Sequence, residues 1–133
     1  MSDGKTALGL DANVGALICY VGNLACGLPL GLIYSIIVVV SDKTNKVTRF
    51  HAFQSIFLSI LGFVISIPLY ILLGIAMAAN SMVMMAVVGL FSLVLMVVGL
   101  ALLYFWIMAA IKAYNGEIYK IPVVGNFADQ YSN

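Results

Sequence analysis

Three uninterrupted apolar stretches set the reading of this chain. Residues 14–40, 52–80 and 82–111 contain no Asp, Glu, Lys, Arg or His. An α-helix rises about 1.5 Å per residue and a bilayer core is roughly 30 Å thick, so each stretch is long enough to cross. The pattern predicts helices over about 13–40, 50–79 and 82–114, joined by a basic loop at 41–49 and followed by a tail over 115–133. The fold class expected is an all-α membrane protein, one integral membrane domain over 1–133. Its three transmembrane helices would form a compact bundle with a short interfacial C-terminal tail.

Local signals refine these elements. Pro29, within Gly27-Leu28-Pro29-Leu30-Gly31, removes a backbone donor and frees the carbonyl of Ala25. The expectation is one kinked helix, since no charge marks a turn there; two half-spans are the alternative. Pro68 would kink the second helix in the same way. Ala79-Asn80-Ser81 is short and uncharged, which makes the second and third helices antiparallel neighbours. Asp11 or Asn13 can cap the first helix, and Asn115-Gly116 can end the third in a left-handed turn. The first stretch far exceeds the 7–15 residues of a signal h-region, so it is expected to stay.

Charge then orients the chain. With three crossings, Lys5 lies on one side, and Lys43, Lys46, Arg49, Lys112 and Lys120 on the other. Counting cations predicts an N-terminus outside, with the basic loop and C-terminus in the cytoplasm of a prokaryotic cell. At 64% hydrophobic, 8% charged and mean hydropathy +1.15, nothing is left for a soluble domain. A net charge of +1 gives no nucleic-acid footprint.

Lipid supplies no hydrophobic drive for helix pairing, so small and hydroxyl residues become informative. Gly15, Cys19, Gly22 and Cys26 share one face of the first helix, and past Pro29 the small face rotates to Gly27, Gly31 and Ser35. Ser55, Ser59, Gly62 and Ser66 mark a stripe on the second helix, starting from His51 with Gln54 at its edge. Gly89, Ser92 and Gly99 do so on the third. Each seam can close the bundle internally or dock a partner helix. Cys19 and Cys26, about 10 Å apart along a helix, are too distant for a disulfide and read as packing residues.

Candidate chemistry is sparse. No carboxylate lies within a span, which argues against a coupled transporter. His51 can serve as one axial ligand of a haem or chlorin; a hydrogen-bonded interfacial histidine is the plainer expectation. No titratable partner sits at helical spacing from it, so no enzyme is expected and no cofactor or metal is required.

Two motifs add a resemblance. Arg49-Phe50-His51-Ala52-Phe53-Gln54-Ser55 opens the second helix, and Lys112-Ala113-Tyr114-Asn115-Gly116-Glu117-Ile118-Tyr119-Lys120-Ile121-Pro122-Val123-Val124-Gly125 closes the third. With Leu8-Gly9-Leu10-Asp11-Ala12-Asn13-Val14, they resemble a widespread family of small prokaryotic membrane proteins of unknown function. That family is regarded as distantly similar to the Tic-type component of the chloroplast inner-envelope import machinery. The resemblance implies a pore or protein-translocation role, in relatives drawn with four crossings. The two motifs also predict that Arg49 or His51 reaches Glu117 and clamps the tail.

The function expected from the residues is a non-catalytic accessory or structural subunit of a larger membrane complex, such as an energy-transducing one (photosynthetic or respiratory). Its partners would be membrane lipids and other integral membrane subunits, or further copies of itself. The translocation assembly and a pigment- or haem-binding protein are the alternatives.

Overall fold

The computed structural model describes residues 4–26 and 30–133, the side chains of 23–26 excepted. Among them are five helices: α1 (Ala12–Cys26), α2 (Leu30–Ser41), α3 (Lys46–Ala79), α4 (Met82–Tyr114) and α5 (Val124–Ser132). The chain divides into two compact units, residues 1–59 with 105–133 and residues 60–104.

In the first unit, the single kinked helix expected over 13–40 is instead two helices. They run antiparallel: Gly15 meets Tyr34, and Gly22 meets Gly31. A Cβ on Gly22 would lie 2.7 Å from the Gly31 nitrogen, so the two backbones are in direct contact. The small faces before and after Pro29 therefore face each other across a helical hairpin. At 15 and 12 residues, the helices are about 22 and 18 Å long, short of a full crossing. Gly27 and Pro29 lie outside the described residues, as does the side chain of Cys26.

The hairpin also changes the topology. The Ala7 amide donates to Asp42 Oδ2 at 3.1 Å, and Asn13 Nδ2 donates to the Tyr114 carbonyl at 3.0 Å. The N-terminal segment, the basic loop and the end of α4 thus share one end of the unit. An N-terminus on the opposite membrane face from the loop and tail is incompatible with these contacts. Of the two residues expected to cap α1, Asp11 directly precedes the helix, and Asn13 lies within it and ties it to the end of α4.

The loop into α3 is built on Asp42. Its Oδ1 accepts from the amides of Thr44 and Asn45, at 3.2 and 3.1 Å, and Asn45 Oδ1 then accepts from the Thr48 amide at 3.2 Å. That caps α3 at its third residue and starts the helix at Lys46, four residues before the expected point. At the other end, α4 stops where Asn115-Gly116 predicted. Gly116 is left-handed at φ +75°, and the amides of Gly116 and Glu117 bond to the Ala113 and Lys112 carbonyls. The tail beyond is ordered: residues 117–121 run over the unit, then α5 folds back. A Cβ on Gly125 would fall 2.6 Å from Lys120 Cα, so only glycine admits that return.

The second unit is a helical hairpin. Asn80, left-handed at φ +47°, ends α3, with its amide on the Met77 carbonyl and that of Ser81 on the Ala76 carbonyl. Ser81 Oγ then accepts from the Met84 amide and caps α4. One two-residue turn closes one helix and opens the next. Within this unit, Ala76 and Val88 are buried, while large apolar residues from Ile60 to Leu103 stand exposed along both helices. A soluble protein does not present such a surface to water. The α3 and α4 helices pass the length and composition test for membrane spans. The seams expected to close a three-helix bundle do not pack here, since a Cβ at Gly62, Gly89 or Gly99 would meet nothing within 4 Å.

Candidate functional site

The polar residues of the first unit converge beneath the tail. Tyr20 from α1 and His51, Gln54 and Ser55 from α3 are all fully buried. His51, Gln54 and Ser55 follow one another around a single turn, which aims them toward α1 and the tail together.

Hydrogen-bond chemistry fixes the state of this cluster. His51 Nε2 lies 2.8 Å from the Glu117 carbonyl, which can only accept, so Nε2 carries the proton. Nδ1, 2.9 Å from the Tyr20 hydroxyl, is then the acceptor, and Tyr20 donates to it. The same hydroxyl accepts from Gln54 Nε2 at 2.9 Å. Each donor thus meets an acceptor with a neutral imidazole. A second ring proton would confront a hydroxyl already in use.

Gln54 reads the tail through its backbone. Nε2 also donates to the Tyr119 carbonyl at 3.0 Å, and Oε1 accepts from the Ile121 amide at 3.0 Å. The carboxamide therefore pairs with the passing chain much as a neighbouring strand would. Around it, Tyr20 meets His51 and Trp106 edge-on, at centroid distances of 5.6 and 6.0 Å, and Phe50 does the same to His51 at 5.2 Å. Trp106 Nε1 donates to the Tyr20 carbonyl at 3.0 Å, and Ser55 Oγ to that of Cys19 at 2.7 Å. Four elements are locked at one point.

A clamp on the tail therefore exists, but not as an ion pair. His51 holds the backbone of Glu117, whose carboxylate pairs with Lys112 at 2.8 Å on the surface. Arg49 does not reach the tail in this arrangement. Its Nη1 donates to the Val39 and Asp42 carbonyls at 3.0 and 2.7 Å, closing the end of α2, and its guanidinium lies over Phe53. Both nitrogens of His51 are engaged, so axial ligation of a haem or chlorin would require breaking one of these bonds.

The small-residue predictions separate along the unit boundary. Gly15, Cys19, Gly22, Gly31 and Ser55 pack inside the first unit, and Ser59 Oγ bonds back to the Ser55 carbonyl. Gly62, Ser66, Ser92 and Gly99 instead line an open apolar groove of about 330 Å³ in the second. The hydroxyls of Ser66 and Ser92 are turned onto carbonyls of their own helices, which lets them sit in an apolar lining.

Sequence reasoning missed Tyr20, Trp106 and Asp42. Tyr20 is one of two tyrosines in the first apolar stretch and stands next to Cys19 of its small face. Asp42-Lys43-Thr44-Asn45 carried an Asx-turn and cap signature. Burial pushes the Asp42 carboxyl up, but the amides of Asn45, Ala7 and Thr44 and the Thr44 hydroxyl outweigh it and hold the group below the usual carboxylate range. Asp129 on α5 is also held low, by its hydrogen bond from Lys120 first and the nearby charges of Lys120 and Lys46 after it.

Known proteins extend the picture. A UPF0132 membrane protein of Methanocaldococcus jannaschii is 35% identical over 130 residues, 97% of this chain and 96% of the relative. A second UPF0132 membrane protein of that organism is 32% identical, covering 94% of this chain and 73% of the relative. One from Archaeoglobus fulgidus is 32% identical over 101 residues, 76% and 84% of the two chains. No solved structure matches. The relatives' names and the two long apolar helices make this a membrane protein, one of a family of small prokaryotic membrane proteins. The model of the magnetosome magnetite crystal formation protein family matches residues 11–128, from just before α1 into α5, and the chain belongs to that family.

Proposed function

We propose that this chain is a non-catalytic structural subunit of a larger membrane assembly. The observation that carries the reading is how the polar cluster is used. His51, Gln54 and Tyr20 spend their hydrogen-bonding capacity on one another and on the tail backbone, in a fully buried place. They build a rigid cap and present no group to a substrate. Beyond it, α3 and α4 expose apolar surface suited to lipid or to the helices of other subunits.

The family's description carries this reading toward magnetite crystal formation in a magnetosome. Glu117 and Asp129 are paired with lysines, and Asp42 is surrounded by amides. The chain is read as a membrane component of such an assembly.

The membrane orientation follows from charge. All six lysines and arginines lie in the unit that brings together the N-terminal segment, the basic loop and the tail. The end of that unit where these charges gather faces the cytoplasm, α3 and α4 cross, and the α1–α2 hairpin enters the membrane and returns. The chain would thus cross twice where three crossings were expected.

Mild-detergent extraction, native-gel separation and mass spectrometry of the band test the main reading. Migration with defined partners at fixed stoichiometry supports it. Migration alone would overturn it and favour the translocation or pore reading implied by the chloroplast resemblance.

A further inference from the structure

The chain's methionines are not evenly spread. Of seven, four fall between residues 77 and 85: Met77, Met82, Met84 and Met85. Three of these, Met77, Met82 and Met85, line one hollow of about 630 Å³ at the α3–α4 turn, with Ala76, Asn80 and Ser81 completing it. We infer that this turn is a soft-metal site, in which the thioether sulfurs of Met77, Met82 and Met85 bind one Cu(I) ion.

Geometry and chemistry agree on this. Met82 and Met85 are one helical turn apart on α4 and project from the same face. Met77 comes from the end of α3, and the turn between them is pinned. The Asn80 amide bonds to the Met77 carbonyl at 3.2 Å and the Met85 amide to the Ser81 carbonyl at 3.0 Å. The backbones that carry the three sulfurs are therefore fixed, while each side chain keeps three rotatable bonds with which to close on an ion. Met77 and Met82 are 67% and 87% exposed, and Met85 44%, so an ion reaches them without unfolding.

The lining contains no carboxylate, imidazole or thiol, so it offers little to Mg²⁺, Ca²⁺ or Zn²⁺. Thioethers are soft donors that select Cu(I). An apolar rim for lipid would be served as well by leucine; what methionine adds is sulfur.

The test uses the full chain in detergent micelles, with Cu(I) kept reduced by ascorbate and competed against a chromophoric Cu(I) chelator. One equivalent is expected to bind. Replacing all three residues (Met77→Leu, Met82→Leu, Met85→Leu) keeps volume and apolarity, and circular dichroism should show the helices intact. Affinity should fall by more than about a hundredfold, since even outer-shell changes around a metal cost about 10–100-fold. Thioethers carry no proton, so wild-type binding should be flat between about pH 5 and pH 7.5, unlike a cysteine or histidine site. Cys19→Ser with Cys26→Ser should leave it intact. Unchanged affinity in the leucine variant, loss in the serine variant, steep pH dependence or no stoichiometric binding would each overturn the assignment.

Discussion

Replacing Gln54 with Leu tests the tail clamp most directly. The substitution keeps approximate side-chain volume and removes three hydrogen bonds: to the Tyr20 hydroxyl, the Tyr119 carbonyl and from the Ile121 amide. Each such bond contributes about 1 kcal/mol net, so about 3 kcal/mol is lost. Leaving the buried Ile121 amide unpaired would cost more, but the tail can lift away and hydrate it. Two of the three bonds reach the tail, so about 2 kcal/mol of this loss should appear as undocking of residues 117–121, with the open population raised by about thirtyfold. Limited trypsin digestion in micelles reads this at Lys120, because cleavage of a briefly opened segment tracks its open population when reclosing is fast. The control is Glu117→Gln. Its carboxylate pairs with Lys112 where the side chains are 52% and 34% exposed, and exposed pairs contribute no more than about 1 kcal/mol. The reasoning is refuted if Gln54→Leu is cut at the wild-type rate, or if Glu117→Gln is cut as fast as Gln54→Leu.

Three further outcomes are expected. Gly22→Val should lower thermal stability by several kcal/mol, as its Cβ would sit 2.7 Å from backbone across the α1–α2 contact, while Gly89→Ala, open on all sides, should hold or gain about 1 kcal/mol; thermal unfolding followed by circular dichroism ranks the two, and equal effects would contradict the hairpin. Asp42 has a folded-state pKa below its unfolded value, so its contribution is fully present above about pH 3.9 and is lost as pH falls through the folded value. Asp42→Asn should flatten the acid limb of a stability-against-pH curve, and an unaltered limb would dismiss this role. Gly125→Ala should release α5 from residue 120, seen as faster hydrogen exchange over 124–132 with the exchange of α3 unchanged.

The motifs around residues 49–55 and 112–122 told that the start of the second long helix and the tail meet, and His51 and Gln54 do hold the tail. What they could not tell was the atoms. An arginine, a histidine and a glutamate suggest an ion pair, yet burial favours the neutral imidazole and carboxamide, which bond backbone groups without desolvating a charge. Arg49 goes to the carbonyls at the end of α2, and Glu117 stays in water with Lys112. The small-residue faces were likewise legible as faces but not as pairs. Helical spacing groups Gly15, Cys19 and Gly22, and a separate backbone is needed to show that Gly31 lies against them.

By itself, the sequence determined the membrane class, the two long helices, the Asn80–Ser81 turn and the Gly116 stop. These are local: apolar length, capping side chains and left-handed residues act within a few positions of where they stand. Only the tertiary structure decided that the first apolar stretch folds into a hairpin, that the N-terminal segment joins the basic loop, and that the tail closes over His51 and Gln54. Each depends on contacts between residues far apart in the chain. An apolar run has the same composition whether it crosses once or turns back, and backbone packing between Gly22 and Gly31 distinguishes the two.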